Sequence, residues 1–231
     1  MVSQPLRVCN ALGSLWKYSA ALRVQDRLAS LSSKSDTADT LIFLEHPATY
    51  TIGKRGTPAD FKSSEEELLH LGADIENINR GGETTFHGPG QVVMYPIINL
   101  RRLRCGARAY VEGLEDSLIA TLGSYGLEAR GRVPGRTGVW VGERKIAAIG
   151  VQISHGVTRH GAALNVTTDL SWFTHIVPCG IADKEVTSLQ RELGEQHASV
   201  QEVASRLSTA LAQHFGYNEL IEVSRQQLES L

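Results

Sequence analysis

The chain has 231 residues, of which 42% are hydrophobic and 21% are charged, and its formal net charge at pH 7 is −2. This length suits a single domain with a buried core, and we expect residues 1–231 to form one. The near-neutral charge provides no broad basic surface, which argues against a nucleic-acid partner. Three widely spaced cysteines do not make a disulfide framework, and no apolar run is long enough to span a membrane.

The N-terminal part of the chain predicts a helix, two strands and a second, short helix. YSAALRVQDRLASL, residues 18–31, has the spacing of an amphipathic helix, although the basic, serine-containing N-terminus is also compatible with an organellar targeting segment. DTLIFLEHPATYTIG predicts two strands joined by a turn at Pro47. In SSEEELLHLG, Ser63 and Glu66 have the spacing of a capping box, and Gly72 follows the end of the helix.

The rest of the chain predicts further strands and two longer helices. ADIENINR and GQVVMYPIINL have strand patterns, and Pro96 in the second indicates an edge strand or a bulge. ARAYVEGLEDSLIATLGSYG predicts a helix, and TGVWVGERKIAAIGVQISHGVTRHGAALNV predicts strands with a hairpin turn at VGERKIA. Ser199 and Glu202 begin a helix that runs through Leu211 and stops by Gly216. Helices and strands without regular βαβ alternation predict an α/β (α+β-like) fold with mixed sheets.

The stretch NRGGETTFHGPGQ, residues 79–91, contains four glycines and a proline directly after a predicted strand. Glycines permit positive φ angles, and consecutive backbone N–H groups can hold an anion or a carbonyl oxygen, with Arg80 and His87 as further donors. A hairpin connection without a ligand has the same composition, and the stretch matches neither the dinucleotide-binding nor the P-loop pattern. Both interpretations stay open on composition.

Two further stretches allow a structural or a functional interpretation. Lys145 begins the apolar run KIAAIG and is either an exposed residue at a strand end or a partly buried functional cation. Because lysine is rarely buried without a partner, composition favours the exposed interpretation. The small residues of HGAALN, residues 160–165, would let a chain-like ligand approach a strand, but a tightly packed sheet has the same pattern and is favoured.

Cys179 lies between Pro178 and Gly180, a pair of residues that indicates an exposed turn, whereas a buried cysteine usually acts as a small hydrophobic residue. Three histidines lie near it in the sequence: His155, His160 and His175. Their spacing does not match a zinc-binding pattern, so we predict no metal site. A Ser-His-Asp hydrolase is also disfavoured because the chain has no G-x-S-x-G motif.

Taken together, RGGETTFHGPGQ, TGVWVGERKIAAIGV, HGAALN and HIVPCGIADKEVTSL resemble, in order and spacing, the octanoyltransferase family of lipoate biosynthesis. The resemblance covers about residues 10–215 and implies the fold of the catalytic domain of biotin and lipoate protein ligases. It implies octanoyl-acyl carrier protein as the donor. The implied acceptors are lysines of lipoyl domains, such as those of 2-oxoacid dehydrogenases and the glycine-cleavage H protein. No cofactor and no ATP are implied.

The resemblance also assigns roles to residues. It makes Cys179 the acyl-thioester nucleophile and Lys145 the residue that lowers the cysteine pKa and acts as acid and base. It assigns substrate binding to Arg80, Gly81, Gly82, Glu83, Thr84, Thr85, Phe86, His87, Ala148, Ile149, Gly150, Gly161, Ala162 and Ala163. A thiolate is a suitable nucleophile for a thioester, and a nearby cation raises the thiolate fraction of a cysteine whose free pKa is ~8.5.

Three other functions compete with octanoyl transfer. An ATP-dependent lipoate or biotin protein ligase needs no nucleophilic cysteine, so the pair of Cys179 and Lys145 argues against it and against a catalytically inactive carrier-protein-binding module. A cysteine-dependent amidotransferase that moves octanoyl groups between lipoyl domains stays open, because it would use the same pair. HIVPCGIADKEVTSL resembles eukaryotic members, so we expect a mitochondrial location, with the bacterial cytoplasm as the alternative.

Overall fold

The computed structural model describes residues 5–34, 37–177, 185–194 and 198–231. The strands of these residues are β1 (Leu6–Leu15), β2 (Thr40–Glu45), β3 (Thr49–Ile52), β4 (Asp74–Asn77), β5 (Thr84–His87), β6 (Gln91–Ile97), β7 (Val139–Val141), β8 (Arg144–Ser154), β9 (Val157–Asn165) and β10 (Leu220–Glu222). The α-helices are α1 (Tyr18–Lys34), α2 (Glu65–His70), α3 (Ala107–Gly123), α4 (Leu189–Leu193), α5 (Val200–Phe215) and α6 (Arg225–Glu229). Short 3-10 helices span Pro58–Asp60 and Leu170–His175.

The strands form two mixed sheets, which confirms the predicted α/β class. The large sheet has the order β10-β1-β2-β6-β9-β8-β7, and the small sheet has the order β4-β3-β5. β1 runs parallel to β2 and β10, whereas the β2, β6, β9, β8 and β7 neighbours are antiparallel. Every residue of β2 and β6 is buried, because helices cover both faces of the large sheet. That the whole chain is one domain stays a prediction.

Helices α3 and α5 pack on one face of the large sheet and α1 packs on the other. The apolar stripe of α3, with Tyr110, Leu114, Leu118 and Leu122, is fully buried as its spacing predicted. Truncation of one such leucine to alanine costs about 2–5 kcal/mol of stability. The predicted helix at residues 18–31 is confirmed as α1, whose buried residues pack on the sheet.

The capping box of α2 lies one residue later than predicted. The Ser64 hydroxyl accepts a hydrogen bond from Glu67 N at 3.2 Å, and the Glu67 carboxylate accepts one from Ser64 N at 2.9 Å. Both Ser63 with Glu66 and Ser64 with Glu67 have the required spacing in the sequence. Ser63 instead bonds the His175 ring at 2.9 Å, so a tertiary contact decides between the two serines.

Pro96 lies in an interior strand whose registers show no bulge, so the prediction of an edge strand or a bulge is wrong. β6 pairs with β2 on one side and with β9 on the other. Its register with β9 ends at the pair Met94–Ala162, before Pro96. The Pro96 ring faces Gly161, where an added Cβ would lie 2.6 Å from Cδ. The missing N–H of Pro96 is therefore tolerated because the pairing with β9 is interrupted at that point and resumes only at Asn99–Val157.

Candidate functional site

Four small residues form the floor of a cleft on the face of the large sheet that α1 covers. β8 and β9 pair Ala148 with Ala163 and Gly150 with Gly161. Because side chains alternate along a strand, these four residues lie on one face. An added Cβ on Gly150 would lie 2.9 Å from Gly81 O, so a glycine is required where the neighbouring loop packs on β8. The small residues thus allow the loop to pack closely on β8 and also leave the space of the cleft above them.

The glycine-rich residues 80–83 form a loop that covers this floor. Gly81 N donates to Val151 O at 2.9 Å, which ties the loop to β8. Arg55 N donates to Gly82 O at 3.1 Å, which ties it to the end of β3. Gly82 has a φ of 92°, a conformation that other residues rarely adopt. The loop is therefore held by hydrogen bonds to both sheets. Its glycines, which have no side chains, let the loop backbone lie close to the cleft.

The strand that follows the loop divides its side chains between the cleft and the small-sheet core. Thr85 and His87 line the cleft. Phe86 stacks on Trp172, with ring centroids 5.2 Å apart and planes at 5°. Thr84, the other alternate residue of β5, does not line the cleft either. The structure therefore places Thr84 and Phe86 in support of the small sheet. The other predicted substrate-binding residues line this cleft, except Gly81, which lines the cleft that adjoins it.

The floor, the loop and β5 enclose a narrow cleft with an empty volume of about 440 Å³, including its mouth. A wide cleft of about 680 Å³ adjoins it and contains Lys145, Arg55 and Arg136 in its lining. The two clefts share four lining residues: Gly82, Glu83, Ile149 and Gly150. The two clefts therefore meet at these residues, with Lys145 in the wall of the wide cleft and Tyr18 of α1 in the wall of the narrow cleft.

Lys145 is a buried cation, only 7% exposed, so the interpretation of an exposed strand end is wrong. Its N–H donates to Glu185 O and its carbonyl oxygen accepts from Thr187 N, both at 2.9 Å. Its Nζ lies 4.9 Å from the centroid of the Trp140 ring, at the distance of a cation–π contact. Within the described ranges no carboxylate forms an ion pair with Lys145. A buried lysine in this setting is unusual for a purely structural residue.

Cys179 lies outside the described residues, together with the rest of residues 178–184. The chain is anchored on both sides of them. Val177 N donates to Asp60 O at 2.7 Å, and Glu185 pairs with the Lys145 backbone. The role predicted for Cys179 stays a prediction. The described residues that follow it, Glu185 and Thr187, are hydrogen-bonded to the backbone of Lys145 in β8.

A cluster of five rings forms the interior end of the narrow cleft. This ring cluster consists of Tyr18, His46, His87, Tyr95 and His160. Tyr18 Oη and His160 Nδ1 are hydrogen-bonded at 3.2 Å, and Tyr95 Oη and His46 Nε2 at 2.7 Å. The centroids of Tyr18 and His46 are 4.8 Å apart. Four of the five residues line the cleft, and His46 supports them from behind.

Burial keeps the ring cluster neutral at neutral pH. It lowers the pKa of His46 to about 4 and that of His160 to about 3, because the imidazolium form loses its hydration. The pKa of His87 is also lowered, first by burial and then by the nearby His46 and Arg80. Burial raises the pKa of Tyr18 to about 12. The interior end of the cleft therefore presents uncharged ring surfaces, with the Arg80 guanidinium beside them.

A directional series of hydrogen bonds, called the polar chain below, runs from the loop to the residues beside Lys145. Its members in order are Arg80, Thr51, His87, Gln91, Asn165 and Thr187. Gln91 Nε2 donates to Asn165 Oδ1 at 2.9 Å, so Gln91 Oε1 is the acceptor facing His87 Nδ1 at 2.8 Å. His87 therefore carries its proton on Nδ1, and its Nε2 accepts from the Thr51 hydroxyl at 3.3 Å.

Comparison with known proteins assigns the chain to a family. Residues 17–212 match the family model of the lipoyl protein ligase A/B catalytic domain. A mitochondrial octanoyltransferase of Arabidopsis thaliana is 48% identical over 212 residues, which cover 90% of each chain. An octanoyltransferase of Solibacter usitatus is 48% identical over 203 residues, covering 88% of this chain and 90% of that one. The chain belongs to the octanoyltransferase family. This confirms the family predicted from the four motifs and makes the protein an acyltransferase.

Solved structures confirm the predicted fold of this octanoyltransferase. A bipartite lipoate protein ligase of Thermoplasma acidophilum superposes with a TM-score of 0.74 at 16% identity, over 100% of this chain and 90% of that one. A biotin protein ligase of Aquifex aeolicus superposes with a TM-score of 0.53 at 13% identity, over 92% and 70% of the two chains. At such identities the likeness concerns the fold.

Several residues that shape the cleft could not be predicted from the sequence. Tyr18 was predicted only as part of the first helix, and His46 and Tyr95 only as parts of the predicted strand segments. The polar chain members Thr51, Gln91 and Asn165 were likewise not singled out. The sequence did contain a signal for these residues. A polar residue close to an apolar strand segment, such as His46 near TLIFL, is expected to be buried and must then have a hydrogen-bond partner.

Proposed function

We propose that the protein transfers an octanoyl group from octanoyl-acyl carrier protein to a specific lysine of a lipoyl domain, through a thioester on Cys179. One observation carries this proposal. Lys145 is buried in the wall of a wide, open cleft that adjoins a narrow cleft with a small-residue floor. Its Nζ lies 4.9 Å from the centroid of the Trp140 ring, and among the described residues no carboxylate forms an ion pair with it. Membership of the octanoyltransferase family supports the acyl group and the reaction class.

In the first half-reaction, the Cys179 thiolate attacks the carbonyl carbon of the donor thioester. A new C–S bond forms, the C–S bond to the carrier arm breaks, and the departing carrier thiolate takes up a proton. The Lys145 ammonium favours the thiolate form of Cys179 by opposite-charge attraction and is a proton source for the leaving thiolate. The acyl chain lies in the narrow cleft, between the floor of Ala148, Gly150, Gly161 and Ala163 and the glycine-rich loop.

In the second half-reaction, the neutral amine of the lipoyl-domain lysine attacks the Cys179 thioester. An amide bond forms and the C–S bond to Cys179 breaks. Lys145, now neutral after protonating the carrier thiolate, accepts the proton that the amine loses. The proton balance of the two steps therefore closes on one lysine. Conversion of a thioester to an amide is downhill, so the transfer needs no ATP, and the two substrates react in ping-pong order.

The experiment that tests this proposal is intact mass spectrometry with different acyl donors. We expect octanoyl-acyl carrier protein, without ATP, to add one octanoyl group to the protein, and an apo lipoyl domain to remove it. An octanoyl-lipoyl domain as the preferred donor would instead identify an amidotransferase. Dependence on octanoate and ATP would identify a ligase, which has the same fold but a different chemistry.

Two of the three cysteines provide matched variants for this experiment. Cys179→Ser should abolish acylation, because a serine hydroxyl is a far weaker nucleophile toward a thioester at neutral pH. Cys105→Ser changes a partly buried thiol far from Lys145 in the sequence and should leave acylation intact. Acylation that survives in Cys179→Ser would contradict the thioester intermediate. Lipoyl domains of a 2-oxoacid dehydrogenase and the glycine-cleavage H protein are the acceptors to compare.

We propose a mitochondrial location, with the bacterial cytoplasm as the alternative. The similarity to the mitochondrial enzyme of Arabidopsis thaliana supports it, although a bacterial relative reaches the same identity. A fusion of the chain to a fluorescent protein, expressed in a eukaryotic cell, tests the proposal. Fluorescence spread through the cytosol would contradict it for the chain as given.

A further inference from the structure

We propose that Trp140 is a positioning residue of the transfer reaction, whose ring holds the Lys145 ammonium in the wall of the wide cleft, and that the buried Glu115 carboxylate fixes the loop beside this ring. The inference rests on the proposed octanoyl transfer, in which Lys145 acts on Cys179. It concerns how the lysine is held and not which groups react. Three observations carry it: the register of β7 and β8, the contact of the ring with the ammonium, and the packing of residues 131–138.

An irregular register of β7 and β8 brings Trp140 opposite Lys145. The pair of Val139 with Ala147 is followed by the pair of Trp140 with Lys145, so β8 has one extra residue, Ile146, between the two pairs. In a regular ladder Trp140 would lie opposite Ile146, whose fully buried side chain belongs to the apolar core that includes α3. A bulge of this kind changes the direction of the side chains. It therefore makes the aromatic ring and the ammonium neighbours across the two strands.

The Trp140 ring packs beside the ammonium rather than within the apolar core. Trp140 is 2% exposed, yet it belongs to none of the three apolar clusters that the described residues form. The Lys145 Nζ lies 4.9 Å from the centroid of its ring. A buried ammonium loses most of its hydration, and the negative face of an aromatic ring replaces part of it. Because the ring has no net charge, it holds the ammonium without cancelling the positive charge that acts on a thiolate.

The loop of residues 131–138, which precedes β7, holds the ring and the lysine stem in place. Trp140 Nε1 donates to Arg136 O at 3.2 Å. Gly138 has a φ of 127°, and an added Cβ there would lie 2.5 Å from a carbonyl oxygen of β8 and 3.5 Å from Lys145 Cε. The end of the loop therefore packs directly on the strand and the stem of the lysine, and Arg136 in its middle lines the wide cleft.

Glu115 of α3 fixes this loop from its buried side. It is 2% exposed, and its carboxylate accepts hydrogen bonds from Arg132 N at 2.9 Å and from Gly138 N at 3.1 Å, one on each oxygen. These two donors lie at the two ends of the loop, and hydrogen bonds to a carboxylate are stronger than neutral ones. A single side chain thus sets the path of the loop. We infer that Glu115 acts on Lys145 through the loop and Trp140, without contact with a substrate.

The test replaces Trp140 alone by tryptophan analogues with one, two or three fluorine atoms on the ring. Fluorine weakens the negative face of the ring and changes its volume little, so a purely structural role would not respond to it. The measurements are the rate of acylation by octanoyl-acyl carrier protein in a single turnover and the pH profile of iodoacetamide labelling at Cys179. With each added fluorine we expect slower acylation at saturating donor and a labelling profile at higher pH, whereas the donor concentration for half-maximal rate stays the same. The whole series should lower the rate roughly twofold to thirtyfold, the range that corresponds to loss of a cation–π contact.

Matched positions separate this effect from a general loss of packing. Trp16 is 1% exposed and has the Arg225 guanidinium 4.2 Å from its ring centroid, so the same analogues there should leave both measurements unchanged. Glu115→Gln turns one of the two acceptor oxygens into a donor, so it should release the loop and slow acylation. Its control is Asp39→Asn, because Asp39 is a buried carboxylate that accepts from Asn99 N at 2.9 Å and lines neither cleft. Asp39→Asn should lower the melting temperature but keep the wild-type rate of acylation.

The outcomes separate this inference from the function on which it rests. A rate that stays level or rises with the number of fluorine atoms at Trp140 would overturn the role of the ring and leave octanoyl transfer standing. An equal loss of rate with the same analogues at Trp16 would also overturn it. Equal acylation rates in Glu115→Gln and Asp39→Asn would overturn the role of Glu115. A wild type that octanoyl-acyl carrier protein does not acylate would overturn the proposed function and this inference together.

Discussion

The side-chain amide of Asn165 donates a hydrogen bond of 3.0 Å to the carbonyl oxygen of Thr187. Thr187 in turn donates its N–H to Lys145 O at 2.9 Å. Asn165 also accepts from Gln91, which connects it through His87 to the loop over the cleft. One end of the polar chain thus holds residues that follow Cys179 in the sequence against the strand of the buried lysine, and its other end holds the acyl-binding loop.

The first prediction is that Asn165 positions the reacting groups. Asn165→Ala leaves the buried Gln91 amide and the Thr187 carbonyl without their partner, so we expect a stability loss of about 1–3 kcal/mol. We also expect slower acylation of Cys179 at saturating donor, because the segment beside Lys145 is no longer held. Asn99→Ala is the matched control, since Asn99 donates a similar bond to Ser32 O at 3.2 Å away from the cleft. Equal rate losses in both variants would mean that Asn165 acts through stability alone.

The second prediction concerns the glycine-rich loop. Gly82 has a φ of 92° and lines both clefts, so Gly82→Ala should strain the backbone, at a cost of about 1–3 kcal/mol, and narrow the entrance for the acyl thioester. Gly72 has a φ of 85° at the end of α2, with no atom within 4 Å of an added Cβ. Gly72→Ala should therefore lower the melting temperature similarly but leave acylation unchanged. Normal acylation in a folded Gly82→Ala protein would count against a binding role for the loop.

Local patterns in the sequence were sufficient to predict the elements that carry the site. The spacing of Tyr110, Leu114 and Leu118 predicted α3 because a helix buries one stripe of residues. The hairpin of β7 and β8 followed from the turn residues of VGERKIA, and Gly142 there has a positive φ of 55°. The backbone at Gly81 and Gly82 approaches the cleft, as the glycines allowed.

Long-range contacts explain what could not be predicted from the sequence. The burial of Lys145 depends on Glu185 and Thr187, which bond to its backbone from about 40 residues further along the chain. The contact of Tyr18 with His160 joins residues separated by 142 positions. No local pattern encodes such pairs, so the lysine was favoured as exposed and the ring cluster was missed.

The third prediction is a loss of stability in mild acid that comes from the ring cluster. The pKa of His46 is about 4 in the folded protein, below the usual 6.5, so the unfolded chain binds the proton more strongly. The free energy of unfolding therefore falls as the pH drops below 6.5 and stops falling, for this residue, near pH 4. Between pH 7 and pH 5 His46 should account for about 2 kcal/mol of the loss.

Chemical denaturation of the wild type and of His46→Gln at pH 7 and pH 5 measures this contribution. The variant should be less stable at pH 7, because it loses the bonds to Trp16 O and Tyr95. It should, however, lose less stability than the wild type between the two pH values, since one titrating group has been removed. The same loss in both proteins would show that His46 is not kept neutral by burial.

The last prediction concerns Lys145 and its effect on Cys179. If the ammonium stabilises the thiolate, the rate of labelling by iodoacetamide should rise with pH at values below the ~8.5 of a free cysteine. Lys145→Met keeps the length of the stem and removes the charge, so its labelling profile should move up toward that value. Lys145→Arg should keep part of the effect on labelling but impair transfer to the lipoyl domain, because a guanidinium does not release a proton near neutral pH. Lys17→Met, at an exposed position before α1, is the control for loss of a positive charge, and superimposable profiles for Lys145→Met and wild type would rule out the pairing of Lys145 with Cys179.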